Sequence, residues 1–446
     1  MRALRADLRL AWELTRGADR GEWWRAALTA LGAAPATALA LAAVVLASLR
    51  GSRPLPFAAG ILDQPGTRAG VVLGLLLLLL PVLGFVGQCA RIGAVHRDRR
   101  LAGLRLAGAT PWQVRRIAAL ETGLACALGS AVATVASVLF LARLRDGLTA
   151  PVLAAVAVVA VAVPVLGAAA GALALRRVVA SPLGSVRRTA PRAGRGSRTL
   201  FLCGLLLAAV SALLTAVTAA DAPHGSSGGP PLPLAGLVVA AGAGAVWLSA
   251  ATARVTGRIL AVRARSAATL IAAERLRDDP WSAARTHAAV LLVTVAGTGF
   301  LGIRRVLADV VRDRPDASYY LTGLNLTGAA VAVAFALTLS GLAVGTAESL
   351  AGRRRGLAAQ VAAGVPRAVL GRALLLETAL PLAPALLLAG LGGTAAGAWY
   401  AELAGRSVPW AIALVPLAAY AACLLAAAGS LPLLRRSVRP GELRYA

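Results

Sequence analysis

Two glutamates stand at the mouths of long apolar runs, Glu121 in RIAALET and Glu377 in RALLLET, and their surroundings repeat. Each follows an arginine by five residues (Arg116, Arg372), a glycine by thirteen (Gly108, Gly364) and another arginine by 24 (Arg97, Arg353). A carboxylate entering a bilayer is costly unless a cation or water meets it, so the chemistry on offer is ion pairing at a membrane boundary. Five helical residues rotate about 500°, which turns Arg116 away from Glu121 and places the expected partner on another helix. Two readings of the glutamates stay open at this point, an anchor at headgroup level and a joint that transmits motion.

The repetition is wider than these positions. Arg97–Thr122 aligns without a gap to Arg353–Thr378, 256 residues later. The pairs Arg97/Arg353, Arg99/Arg355, Leu101/Leu357, Ala102/Ala358, Ala107/Ala363, Gly108/Gly364, Arg116/Arg372, Leu120/Leu376, Glu121/Glu377 and Thr122/Thr378 are identical. Other chemistry is poorly supplied. All 46 basic residues are arginine, and a phosphate-binding P-loop, which needs a lysine, cannot be written in such a sequence. His96, His224 and His287 are scattered, with no spacing suited to zinc, and no nucleophile–base pair points to hydrolysis or acyl transfer. Cys89, Cys126, Cys203 and Cys423 lie in or beside apolar runs and read as small apolar residues. No catalytic residue, metal ligand or cofactor site is therefore expected in this chain.

The elements that must position the repeats are membrane helices. With 446 residues, 58% of them hydrophobic, and a mean hydropathy of +0.75, the chain is polytopic. Ten windows are long and apolar enough to span, at 27–49, 70–90, 117–141, 151–175, 199–220, 234–252, 286–303, 321–347, 373–398 and 409–432. The window at 286–303 is the shortest. Continuous Ala/Leu/Val runs, rather than alternating segments, exclude a strand barrel. If the amino terminus is inside, 36 of the 46 arginines fall in inner segments, so both termini are assigned to the cytoplasm. That placement also accounts for the net charge of +27 without nucleic acid, for which no aromatic-interleaved basic motif is present.

Leu4, Leu8 and Trp12 share one face of an expected amphipathic helix ahead of the first span, and Leu270–Arg285 resembles it ahead of the seventh. The first apolar run follows 26 mixed-charge residues and is expected to stay as an anchor. These features divide the chain into a first unit at 1–175 (spans 1–4), a basic linker with spans 5 and 6 at 176–252, and a second unit at 253–446 (spans 7–10). The linker at 176–198 is rich in Arg, Pro, Gly and Ser, and Asp221–Pro233 reads as a flexible outer turn. The longest outer segments, Arg50–Ala69 and Arg304–Tyr320, are too short for a folded domain. Glycine pairs four apart, Gly70/Gly74, Gly167/Gly171, Gly341/Gly345 and Gly393/Gly397, are candidates for close helix crossings.

Within each repeat, a short basic helix carrying Leu101 and Leu104 is expected to end at Gly108, a residue suited to the left-handed backbone past a helix end. Thr110 and Pro111 then read as cap and first turn of the next helix. The second copy keeps Gly364 and Pro366 but has Val365 where a capping oxygen would help, which predicts a looser turn. A helix, a tight turn and a second helix continuous with a span make a lever: force on the elbow passes into the membrane helix.

The pattern R-x-R-x-L-A-x(4)-A-G at Arg97–Gly108 and Arg353–Gly364, each followed by R-x(3)-L-E-T, resembles the FtsX-like permease family of ABC transporters. The closing RPGELRYA (Arg439–Ala446) is similar to the end of many such permeases. The two-unit, ten-span arrangement is similar to the bacitracin-efflux type, without the large outer domain those proteins carry between spans seven and eight. The resemblance implies an all-α polytopic bundle of two four-helix units with an inserted helical hairpin, in a bacterial plasma membrane. It implies a cytoplasmic ABC ATPase dimer as partner, carrying the ATP and Mg²⁺, with membrane lipid and an accessory or sensor protein as further contacts. By position, the ATPase-coupling residues would be Arg97, Arg99, Leu101, Gly108, Arg116, Glu121, Arg353, Arg355, Leu357, Gly364, Arg372 and Glu377. An ATP-independent secondary transporter and a sensor or scaffold subunit are the alternatives; the charged residues cluster at inner ends rather than at mid-membrane, which disfavours the former.

Overall fold

A computed structural model of the chain describes residues 20–49, 106–143, 150–174, 232–403, 405–407 and 410–432, with 434 and scattered positions between 62 and 103. Among the described residues every extended element is a helix, and the chain is an all-α polytopic bundle. The helices fall into two compact units, residues 1–187 and 188–446.

The first unit holds α1 (Arg20–Ser48), α2 (Pro111–Ala142) and α3 (Ala150–Ala174). Between lipid-facing helices there is little hydrophobic driving force, so close backbone approach and dispersion hold them together. Gly129 of α2 lies so near the Ala30 carbonyl of α1 that a Cβ there would overlap it. A Cβ on Gly167 of α3 would come within 2.5 Å of the Cys126 sulfur. Small residues at these points let α1, α2 and α3 interlock, and the Ser130 hydroxyl donates across to the Ala160 carbonyl at 3.1 Å. Leu41, Leu141, Val152, Val156 and Val159 form a core, while Val132, Val135, Leu139, Val158, Val161 and Val165 face outward, as a lipid-contacting surface requires. The described positions between 71 and 89 are helical, and Phe85 and Val86 approach Gly32 of α1. Past α1, the guanidinium of Arg68 donates to the carbonyls of Leu49, Leu62 and Asp63 and staples that turn.

The second unit comprises α4 (Leu232–Arg263), α5 (Ala267–Asp278), α6 (Pro280–Val311), α7 (Ala317–Gly352), α8 (Arg354–Ala362), α9 (Arg367–Leu403) and α10 (Leu414–Ala428), the last entered through a 3₁₀ turn at Trp410–Ala413. Its core brings together Val290, Leu291, Leu342, Leu382, Leu386 and Cys423 from four helices. Gly393 of α9 abuts the Val295 carbonyl and Thr298 of α6, and Gly397 faces Gly302. Of the glycine pairs picked from spacing, Gly393/Gly397 therefore marks a real crossing. Gly167 marks another, whereas nothing lies within 4 Å of where a Cβ on Gly74 would sit.

Among the described residues, seven helices are long and apolar enough to cross a membrane: Ala26–Ser48, Trp112–Ala142, Val152–Ala169, His287–Val311, Ala317–Gly352, Arg367–Ala395 and Trp410–Ala428. They correspond to seven of the ten windows. The window at 234–252 lies inside α4, which runs on to Arg263, so the expected division at 252/253 falls within one continuous helix. The window at 199–220, the linker at 176–198, the loop Asp221–Pro233, the amphipathic helix ahead of α1 and the closing RPGELRYA lie outside the described residues. The window at 286–303, the shortest by sequence, proves to be a 32-residue helix, because Arg304 and Arg305 continue it and Arg304 donates to the Asn325 side chain of α7 at 2.9 Å. The segment Arg304–Tyr320, expected from the sequence on the outer side, is thus mostly helix, closed by a turn through Arg312–Asp316, and contains no separate domain.

Candidate functional site

Each elbow is set by one backbone conformation. Gly108 has φ +96° and Gly364 φ +92°, the left-handed region that only glycine enters without strain. No atom lies within 4 Å of where a Cβ would sit on either, so the glycine is required by the backbone and not by crowding. At the first elbow the amide of Ala107 donates to the Gly103 carbonyl at 2.9 Å, and the chain reverses through Gly108 into α2. Thr110 caps α2 in the expected way: its hydroxyl accepts from the Gln113 amide at 3.3 Å while the Gln113 side chain accepts from the Thr110 amide at 2.8 Å.

The second elbow reaches the same geometry by other means. The Val365 amide donates to the Gln360 carbonyl at 3.0 Å and the Gly364 amide to the Val361 carbonyl at 2.9 Å, the paired bonds of a Schellman ending to α8. Val365 also packs with Leu350, Leu357, Leu370, Val361 and Leu374, forming a staple across the start of α9. With no cap oxygen at Val365, the turn carries these backbone bonds at the end of α8 and the apolar packing of Val365.

Behind this elbow sits an ionic hub. Glu377, about three turns into α9, accepts from the Arg353 guanidinium at 2.8 and 3.0 Å and from Arg275 at 3.3 Å. Arg353 lies at the joint between α7 and α8, and Arg275 lies on α5. One carboxylate, 16% exposed, therefore ties together the juxtamembrane helix, the entry to the elbow and the span that leaves it. Arg372, five residues before Glu377, is exposed on a different face, as the helical turn requires. In the first unit Glu121 is buried on α2, and Arg116 is half-buried.

The positions read from the repeat thus separate into kinds. Arg353 and Glu377 meet directly; Gly108 and Gly364 shape the turns; Arg372 is open to the surroundings. Leu357 does not project outward but is buried, 1% exposed, and fastens α8 to the bundle. Arg355 lies in α8, with its side chain outside the described residues, and Arg97, Arg99 and Leu101 also lie outside them. Arg275 was missed by the repeat because it belongs to α5 rather than to the elbow. Its signal in the sequence was the likeness of Leu270–Arg285 to a juxtamembrane helix. That helix begins with a reciprocal cap between Ser266 and Thr269 and buries Ala268, Ala272, Ala273 and Leu276. The small buried face brings α5 against α4 and turns Arg275 toward α9.

Small and apolar residues are exposed at both turns beside polar ones, Arg367 at the second and Thr110 and Gln113 at the first. Ala359, Ala362, Ala363, Gly364 and Ala368 are exposed at the second, and Leu106, Gly108 and Trp112 at the first. Residues 71–183, which run from the helical stretch before the first elbow to beyond α3, match the family described as FtsX-like permease C-terminal. Over that segment, about a quarter of the chain, the sequence is similar to an FtsX-like permease domain. No curated protein matches the chain.

Proposed function

We propose that this chain, an FtsX-like permease over residues 71–183, is the transmembrane subunit of an ABC system whose ATP hydrolysis occurs on separate ATPase subunits. The observation that carries the proposal is the paired elbow. Two left-handed glycines, Gly108 and Gly364, stand thirteen residues before Glu121 and Glu377, each opening a long membrane helix. A rigid body pressed against such a turn moves the helix behind it, because α2 and α9 start within three residues of the glycine. In the second unit the hub carries the displacement further: motion at α8 reaches α9 and α5 through Glu377. With an elbow in each unit, one copy of the chain would engage an ATPase dimer, with ATP and Mg²⁺ held by that dimer.

The membrane of this proposal is a bacterial plasma membrane, and the arginine distribution supports elbows and termini on its cytoplasmic side. Movement of the helices would serve export, extraction of a lipid or peptide, or signalling to a partner. The test is co-purification of the intact chain with its ATPase and comparison with Arg372→Ala, Gly108→Ala and Gly364→Ala. Reduced ATPase stimulation or association, with the permease still folded, supports coupling at the elbows. Undiminished association and activity in all three, or transport by the purified permease without an ATPase, overturns it in favour of a secondary transporter.

A further inference from the structure

We propose that the inner end of α4 is a binding surface for anionic phospholipid headgroups. Helix α4 has 32 residues, a length of about 48 Å, while a bilayer core takes roughly 30 Å. About a dozen residues therefore overhang at the Arg263 end, which is the inner end under the orientation proposed above.

That overhang presents Val255, Ile259 and Val262, exposed by 54%, 48% and 89%. At about 100° per residue the three lie within roughly 60° of one another. Arg258 and Arg263, both exposed, stand about 40° beyond either edge of this stripe. The opposite face is occupied: Ala253 is buried with Leu276, and Gly257 sits against Ala273 and Leu276 of α5. The stripe consequently points away from the packed body of its unit.

Apolar side chains flanked on both sides by guanidiniums suit one environment above others. The aliphatic stripe enters the boundary between acyl chains and headgroups, and the arginines reach out to phosphates. Charge complementarity selects anionic headgroups over zwitterionic ones, and continuity with the apolar window at 234–252, expected from the sequence to span, holds the stripe at the membrane surface. An acidic protein surface could answer the arginines, but it would not need a stripe at the depth of the lipid boundary. The lipid seat would also steady α5, the helix that brings Arg275 to Glu377.

The experiment uses the full chain in nanodiscs containing equal phosphatidylglycerol and phosphatidylcholine, then counts lipids retained after mild detergent transfer by native mass spectrometry. It requires no ATPase, so its failure is separable from failure of the coupling proposal. Wild type is expected to retain phosphatidylglycerol preferentially. The double variant Arg258→Gln/Arg263→Gln is expected to lose about twenty- to thirtyfold of that preference, from roughly fivefold per interfacial arginine. Arg258→Lys/Arg263→Lys should keep most of it, and Val255→Ser/Ile259→Ser/Val262→Ser should lower retention of both lipids. Equal retention by wild type and the glutamine variant overturns the proposal. So does a serine variant that retains both lipids as wild type does, since the stripe would then contribute nothing to lipid capture.

Discussion

Glu377→Gln removes the charge from the hub while keeping the shape of the side chain. The carboxylate receives two close contacts from Arg353, at 2.8 and 3.0 Å, and one longer contact from Arg275 at 3.3 Å. Glu377 is 16% exposed, so screening by solvent is partial, and the Arg353 contacts fall in the range of charge-assisted bonds, about 1.5–3 kcal/mol. The longer Arg275 contact is closer to a boundary ion pair and contributes less than about 1 kcal/mol. Glu377→Gln should then cost about 2–4 kcal/mol, because both guanidiniums lose their counter-charge at once. Arg353→Gln should cost roughly 1.5–3 kcal/mol and Arg275→Gln under about 1 kcal/mol. The assay is graded unfolding in mixed micelles, run as two double-mutant cycles. Coupling between positions 353 and 377 should be about 1.5–3 kcal/mol, and between 275 and 377 several-fold smaller. A 353–377 coupling below about 0.5 kcal/mol, or a larger one for 275–377, would refute the account of the hub.

Other outcomes follow from the same geometry. Gly364→Ala should destabilise by about 1–2 kcal/mol through backbone strain alone, with Gly364→Asn milder, since nothing crowds the site; equal tolerance of Val and Ala there would contradict the left-handed turn. Leu357→Ala should cost about 2–5 kcal/mol by opening a cavity against Leu350, Leu370 and Leu434, read as a lower unfolding midpoint. Arg372→Ala should leave that midpoint within about 0.5 kcal/mol of wild type yet reduce ATPase association, because the side chain is exposed. Gly129→Ala should cost about 1–3 kcal/mol by forcing α2 away from the Ala30 carbonyl, measured in the first unit by unfolding of the full chain.

Much of this is legible in the sequence. Span-length apolar runs dictate helices, since a backbone in lipid must satisfy its own hydrogen bonds, and the structure places helices in every window it describes. Glycine at Gly108 and Gly364 and the Thr110–Pro111 start were readable because turn and cap chemistry is local. Leu357 was not: the repeat marks it as shared, but which side of α8 faces the bundle depends on where Leu350, Leu370 and Leu434 lie. The packing of Val365 was not readable for a related reason, because a cluster with Leu350 and Leu434 needs neighbours that no short stretch of sequence contains.

By itself the sequence determined the helices, the doubled elbow and the need for a partner to each membrane-boundary carboxylate, all of which depend on residues close along the chain. Only the tertiary structure decided that Glu377 takes Arg353, 24 residues away, together with Arg275, 102 residues away. It alone showed which glycine pairs mark crossings, with Gly393 and Gly397 lodged against α6 while Gly74 faces open space. The reason is physical. Ion pairing and close packing act over a few ångströms in space and are indifferent to separation along the chain, so the partner of Glu377 comes from whatever helices the fold brings near.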